Sequence, residues 1–378
     1  MYDVAIIGAG PGGAAAAVGL AQLGVTNVVL LDREGFPRDK TCGSGLSPNA
    51  LNVIEKLGIA AEVRANGFAV NTVRIVTPGK REMRISSDAA AIVCLRRVFD
   101  HLLVERAQKL GVTLVTPFRA DSLLMEGERV VGVRGFDGRE IRARLVFCAD
   151  GANSIFSIDP RPKRSIATLM GWWDDVAVAP DQLDMIFDRS LSPLYGWMFP
   201  EGKGRVNIGI CVDGQGPDGE KTTINLRQTF ERFLGEHYGQ ALAKATPVGK
   251  WKGHPIVYTT WVGNVSRPGA LYLGEAARIT HNATGEGISQ AMESGLFAAE
   301  AAARVLRQGE SEAKAFGWYL NQHRKRFTSA FLAGHALRAV IDSPILDGVA
   351  DTYNNPLVRK AVTRLLGSAL AGSSVNAS

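Results

Sequence analysis

Cysteine is scarce in this chain: Cys42, Cys94, Cys148 and Cys211 are the only four in 378 residues, and no two form a Cys-x-x-Cys pair. Such scatter argues against a disulfide framework or a thiolate zinc site, and it suits a reducing cytoplasm. No metal site is expected. Long apolar runs are missing too, so no bilayer span is expected. The one early apolar stretch is interrupted by glycines at 8–13 and reads as strand and turn rather than signal peptide. No internal repeat stands out. The formal net charge of +6 suits an anionic cofactor or an anionic lipid surface. Nucleic acid is not expected, because no compact basic cluster is interleaved with aromatics. The one basic run, His323-Arg324-Lys325-Arg326, reads as a solvated helix face. At this length, with 46% hydrophobic and 21% charged residues, two interleaved soluble domains are the natural expectation.

What is present begins at the N-terminus. Tyr2 to Ile7 is a short apolar run rich in strand formers. Gly8-Ala9-Gly10-Pro11-Gly12-Gly13 follows, and then an alanine-rich helix to about Leu23. Gly8 permits a tight turn, Gly10 lets backbone approach a pyrophosphate, and Gly13 permits close helix–strand packing. The helix N-terminus favours the phosphate charge. A second strand, Val28 to Leu31, ends at Asp32, at the spacing where an acid accepts hydrogen bonds from ribose hydroxyls. This unit alone leaves FAD and NAD open.

Two later segments select between them. Val130, Val131 and Val133, the Asp137-Gly138 turn and the strand Ile141 to Phe147 read as a hairpin. It runs into Ala149-Asp150-Gly151-Ala152-Asn153-Ser154, which resembles the strand–Asp-Gly element of FAD-dependent hydroxylases and their relatives. Far downstream, the strand Ala270 to Leu273 leads to Gly274-Glu275-Ala276-Ala277, and Thr284-Gly285-Glu286-Gly287-Ile288 opens a helix. This is similar to the Gly-Asp-Ala-Ala element of the same flavoproteins, with Glu275 in place of the usual aspartate. The resemblance implies FAD, held also by Arg33 beside Asp32, by Arg96 at a helix start and by Ala120.

Two strings narrow the family. Phe36-Pro37-Arg38-Asp39-Lys40-Thr41-Cys42-Gly43-Ser44-Gly45-Leu46 and Pro193-Leu194-Tyr195-Gly196-Trp197-Met198-Phe199-Pro200 together resemble the geranylgeranyl reductase family. Gly209 follows as in that family, but Cys211 replaces its second glycine. The resemblance places Lys40, Cys42, Gly43 and Gly45 beside the flavin. Cys42 has two readings, a small buried hydrophobe or a thiol that takes part in the chemistry. Alternation puts Tyr195, Trp197 and Phe199 on one strand face. That face is either an ordinary sheet surface or a wall for an apolar substrate, with Trp172 and Trp173 on an adjacent strand. The implied activity is reduction of isoprenoid C=C bonds by reduced flavin, with NAD(P)H or a ferredoxin-type redox partner as donor. A flavin monooxygenase, or a halogenase-related enzyme acting on a small aromatic or polyketide-type substrate, is the alternative. The halogenase string Trp-x-Trp-x-Ile-Pro does not fit Tyr195 to Pro200.

The expected architecture is α/β: a Rossmann-type FAD-binding domain of the hydroxylase-like kind with a β-meander, an antiparallel-sheet substrate domain, and C-terminal helices. The expected boundaries are 1–75, 92–157 and 265–308 for the first, 76–91 and 158–264 for the second, 309–370 for the helices and 371–378 for a tail. Lys80 to Ser86 is read as a sheet edge, and Trp251 to Ile256 as the return to the FAD domain. Leu357, Ala361, Leu365 and Leu366 fall on one helix face, with Arg359, Lys360 and Arg364 towards another. That pattern serves packing on the protein itself or peripheral contact with a membrane surface.

Overall fold

The computed structural model describes residues 1–157, 164–179, 181–215 and 223–360. The chain begins with β1 (Tyr2–Ile7), α1 (Pro11–Gln22) and β2 (Val28–Leu31). It crosses to a second layer through β3 (Gly45–Leu46), α2 (Pro48–Leu57), α3 (Ala60–Asn66), β4 (Phe68–Val76) and β5 (Glu82–Val93). It returns through α4 (Arg96–Lys109) to β6 (Thr113–Val115) and a meander of β7 (Ala120–Glu126), β8 (Arg129–Gly135) and β9 (Glu140–Cys148). The second layer then takes β10 (Arg164–Asp174), β11 (Gln182–Ile186), β12 (Gly196–Gly202), β13 (Arg205–Asp213), α5 (Leu226–Leu242) and β14 (Thr246–Tyr258). Last come β15 (Ser266–Arg267), β16 (Ala270–Tyr272), a 3-10 turn at Gly274–Ala277, α6 (Ile288–Gln308), α7 (Glu312–Ile341) and α8 (Ile345–Thr352).

The first sheet runs β15-β16-β9-β1-β2-β6, and β8 and β7 extend from β9. β1 pairs in parallel with both β2 and β9. Val4, Ala5, Ile6 and all of β2 are buried, so these strands read as continuous apolar runs rather than as alternation. α1 crosses α6 along small residues. A Cβ on Gly295 would stand 2.3 Å from the Gly12 carbonyl oxygen, and one on Gly19 would stand 3.0 Å from Ala299 Cβ. The alanine-rich composition of α1 is therefore an approach surface for α6.

The second sheet runs β14-β10-β13-β12-β11-β4-β5-β3. It is antiparallel except where β11 meets β4, a parallel pair that the all-antiparallel expectation lacked. The 1–75 boundary also shifts. Phe68–Val76 pairs with β5 and β11 in this second sheet, and Gly45–Leu46 touches its edge through β5. Alternation identifies a strand but not the sheet it joins, because both sheets bury a face.

The sheet's two faces are distinct. Val206, Ile208, Ile210 and Val212 pack with Phe230 and Phe233 of α5. The opposite face carries Met170, Tyr195, Trp197 and Cys211, and the ends of α7 and α8 bring Ile341 and Tyr353 against it. Trp172 is not on a strand next to β12, because β13 lies between. Trp172 stands opposite Asn207, which stands opposite Phe199, so all three project to the aromatic face. Trp173 goes to the α5 side. Ala361, Arg364, Leu365, Leu366 and the 371–378 tail lie outside the described residues. Among the described residues no helix is long and apolar enough to cross a membrane.

Candidate flavin and substrate site

A strip of half-buried residues crosses an otherwise buried region between the two layers: Gly8 and Gly10, Lys40 to Gly43, Ala149 to Gly151, Glu275, and Thr284 to Ile288. Five separate chain segments meet there, and each end is set by backbone geometry. A Cβ on Gly13 would lie 1.9 Å from the Gly8 carbonyl oxygen, so only glycine lets α1 start against β1. Gly8 has φ of +98° and faces the Ala149 carbonyl at 2.4 Å from its would-be Cβ, which locks the glycine turn to the Asp150-Gly151 turn. Pro11 occupies the first turn of α1, and Gly10 offers no side-chain cap. The first-turn N–H groups are thus left to an external anion.

These residues fit FAD. A Cβ at Gly10 would meet nothing nearer than Arg38 Nη2 at 3.9 Å, so the backbone is open where a pyrophosphate must approach. Gly151, at φ of +83°, is open as well. Asp32 closes one end: its Oδ2 accepts from the Ala9 N–H at 2.9 Å and its Oδ1 from the Glu34 N–H at 3.0 Å. α6 begins at the other end, with Gly287 giving no side-chain cap to its 21 residues. Ile288 is its first residue. Gly285 adopts φ of +65° beside Ile256 of β14, and Gly274 adopts φ of +57° against Ala291.

The charges in the groove are cross-linked. Arg96 grips the fully buried Asp100 with two hydrogen bonds, of 2.7 and 2.8 Å, and stands near enough to Cys42 to interact with it electrostatically. Arg38 bridges Asp100 at 3.2 Å and Asp32 at 3.5 Å. Lys40 Nζ lies 2.7 Å from His254 Nε2 of β14. Burial, with Arg96 nearby, lowers the Lys40 pKa, and burial with Lys40 nearby brings His254 down to about 4. Glu275 accepts from the Val257 N–H at 3.3 Å, so its longer side chain reaches β14. Burial raises its pKa against the pull of Lys40. Glu286 accepts the hydroxyls of Ser47 and of Ser289, the latter at 2.7 Å, and burial raises it also.

The aromatic face lies directly against this groove. A Cβ on Gly43 would be 3.0 Å from the Phe199 ring and 3.2 Å from Trp197 Nε1, and Gly45 would meet Phe199 at 3.0 Å. Tyr195 meets Trp197 edge-to-face with centroids 6.5 Å apart, and Trp197 and Phe199 are tilted at 6.3 Å. Trp197 donates to Asn207 Oδ1 at 2.8 Å, and the Tyr195 hydroxyl donates to the Thr284 carbonyl at 2.5 Å. Wall and groove are therefore bonded together.

Of the residues expected from sequence, Arg33 stands apart: it is exposed and paired with Glu34. Ala120 opens β7 opposite Gly135 in the meander, two residues past Phe118, whose N–H reaches the Asp32 carbonyl. Arg38, His254 and Glu286 join the site without a sequence signal of their own, although each neighbours a recognisable motif. Their role depends on partners far along the chain.

A Rossmann turn, an acid at the end of β2 and two further glycine turns lining one groove beneath a second sheet define a dinucleotide-binding oxidoreductase of the two-layer flavoprotein class. Residues 1–314 match the family model described as FAD binding domain. The chain is 31% identical to digeranylgeranylglycerophospholipid reductase 2 of Methanopyrus kandleri, over 89% of this chain and 85% of that one. It belongs to the family of FAD-dependent oxidoreductases that contains these geranylgeranyl-type reductases. A geranylgeranyl bacteriochlorophyll reductase-like protein of Thermoplasma acidophilum has the same fold, with a TM-score of 0.84 at 23% identity, covering 98% of this chain and 97% of that one. A flavin-dependent brominase shares it too, with a TM-score of 0.81 at 23% identity, covering 98% and 94%.

Proposed function

We propose that the protein reduces C=C bonds of an isoprenoid chain laid along the Tyr195–Trp197–Phe199 wall. When bound and reduced, FAD would supply the hydride, and a proton from water or from the opposite side of the double bond would complete the reduction. The protein binds, orients and excludes water. The observation that carries this reading is the contact between the wall and the Cys42–Gly45 turn: the glycines bring that turn within van der Waals distance of Phe199 and Trp197. A flat apolar chain held there gains burial without directional contacts, as a polyprenyl substrate requires.

Cys42 lies in that turn near Arg96, its sulfur accepting from the Ser44 N–H at 3.3 Å, and Lys40 stands two residues before it. In this reading Arg96 and Asp100 hold the thiol side of the turn while Lys40 and His254 hold the other. Electrons arrive from NAD(P)H or a ferredoxin-type protein docking transiently, since the chain has no second complete glycine fingerprint. A lipid substrate is drawn from a membrane surface that the protein touches peripherally.

The test is anaerobic reduction of the holoprotein followed by incubation with geranylgeranyl lipids and mass spectrometry. Gains of two hydrogens per double bond are expected. Oxygen-dependent hydroxylation of an aromatic or polyketide compound, with prenyl chains untouched, establishes the monooxygenase alternative instead.

A further inference from the structure

The aromatic alternation does not stop at Phe199. The side chain two residues on, Glu201, accepts a hydrogen bond from the Trp172 indole at 3.0 Å, and Trp172 shares the row of Phe199 on the wall's face. Beyond it opens a cavity of about 690 Å³, lined on its apolar side by Phe68, Val93 and Leu95 and closed by the β12–β13 turn. Val93 pairs with Gly45, so the Cys42–Gly45 turn has the flavin groove on one side and this cavity on the other. No residue of the cavity belongs to the groove described above.

We propose that this cavity seats the polar end of the substrate whose chain lies on the wall, and that Glu201 selects an uncharged, hydroxyl-bearing end over a phosphate. The inference rests on the isoprenoid reading of the site and adds the chemistry of the substrate's head. An amphiphile lying on an apolar wall leaves its head at the wall's open end, and here that end carries a carboxyl. The other charges around it are largely committed. Arg205 holds Asp174 with two bonds of 2.6 and 2.9 Å. Asp175 and Lys203 also line the cavity, one charge of each sign, and the Lys252 ammonium sits over the Trp172 ring at 5.7 Å. α3, β4 and β5 contribute no charged residue to the lining. Among the described residues that line the cavity the one arginine, Arg205, is already paired, so none is free to clamp a phosphate. A carboxylate can accept from a substrate hydroxyl, while a substrate phosphate beside it is repelled.

Burial raises the Glu201 pKa to about 7 against the indole bond and Arg205, so the carboxylate forms across neutral pH. The experiment uses anaerobically reduced holoprotein and two probes, geranylgeraniol and geranylgeranyl diphosphate, with KM measured from pH 6 to 8.5. For the wild type, KM for the diphosphate should rise about 10-fold through pH 7 while KM for the alcohol stays flat. In Glu201→Gln the rise should vanish, with the bound-flavin spectrum retained. In Trp172→Phe the rise should move to higher pH, because the indole bond favours the carboxylate; a merely structural role for Trp172 predicts no such move. If both probes are reduced and Glu201→Gln keeps the wild-type pH profile, the head-group inference is overturned and the reductase reading stands. If neither probe is reduced nor perturbs the flavin spectrum, the reductase reading fails and takes the inference with it.

Discussion

Lys40 Nζ stands 2.7 Å from His254 Nε2, joining the loop after β2 to β14 across 214 residues of sequence. The ammonium donates and the imidazole accepts, which requires a neutral His254. Its pKa near 4 ensures that at any physiological pH. Removing the acceptor leaves a buried cation facing Arg96, a loss of roughly 1.5–3 kcal/mol for a charged hydrogen bond. We predict that His254→Ala raises the FAD dissociation constant by about 10-fold or more, read by flavin fluorescence titration. An unchanged affinity would show that the clasp does not shape the groove.

The glycine turn separates two roles. In Gly13→Ala the new methyl meets backbone at 1.9 Å, so the apoprotein itself should lose stability or fail to fold. Gly10→Ala meets nothing closer than 3.9 Å. Its apoprotein should unfold within about 1 kcal/mol of wild type, yet bind FAD at least about 10-fold more weakly because the methyl occupies the approach of the pyrophosphate. Apoprotein melting and FAD titration together check the pair, and equal effects of both variants on both readouts would refute the distinction.

Trp197 is anchored by its bond to the buried Asn207 amide, which also reaches the Gly171 carbonyl at 3.1 Å. Trp197→Phe keeps an aromatic surface but strips Asn207 Oδ1 of its donor, and should cost about 1–3 kcal/mol of stability. KM for a prenyl substrate should rise more than kcat falls, because the wall binds the chain rather than the reacting bond. Urea unfolding and steady-state kinetics measure the two effects separately.

His323 is buried within α7 among Phe297, Tyr319 and Phe327, and its Nδ1 lies 3.1 Å from the Tyr319 carbonyl. Burial brings its pKa from 6.5 to about 4. The unfolded chain therefore binds more protons between those values, so this stability is complete above about pH 6.5 and is lost as pH falls towards 4. The loss amounts to about 3 kcal/mol for a fully buried group. His323→Phe should flatten the dependence of unfolding free energy on pH in that window. His281, also near 4, keeps part of the slope in the variant. Urea midpoints at pH 7 and pH 5 supply the comparison.

Much of the cofactor groove is legible in the sequence because its parts are local. The strand, glycine turn and helix at 2–22, the acid at 32 and the turns at 150–151 and 274–288 each state their geometry within a few residues. The long-range parts are not legible. Nothing near His254 announces Lys40, and nothing in Phe68–Val76 tells which sheet it joins. Trp172 reaches the wall's face by a two-strand register, and Glu275 turns to β14 because the extra methylene lets it. In the sequence Glu201 carries no signal beyond its place two residues past Phe199. Only the fold puts an indole on its carboxyl and a cavity beyond it.

Reduction of a polyprenyl chain at this groove is tested most directly by mass spectrometry of a geranylgeranyl lipid incubated anaerobically with the dithionite-reduced holoprotein. Products heavier in steps of two hydrogens are predicted, fewer with Trp197→Ala. A prenyl chain recovered unchanged from fully reduced protein, together with oxygen incorporated into another compound on admission of air, would contradict it.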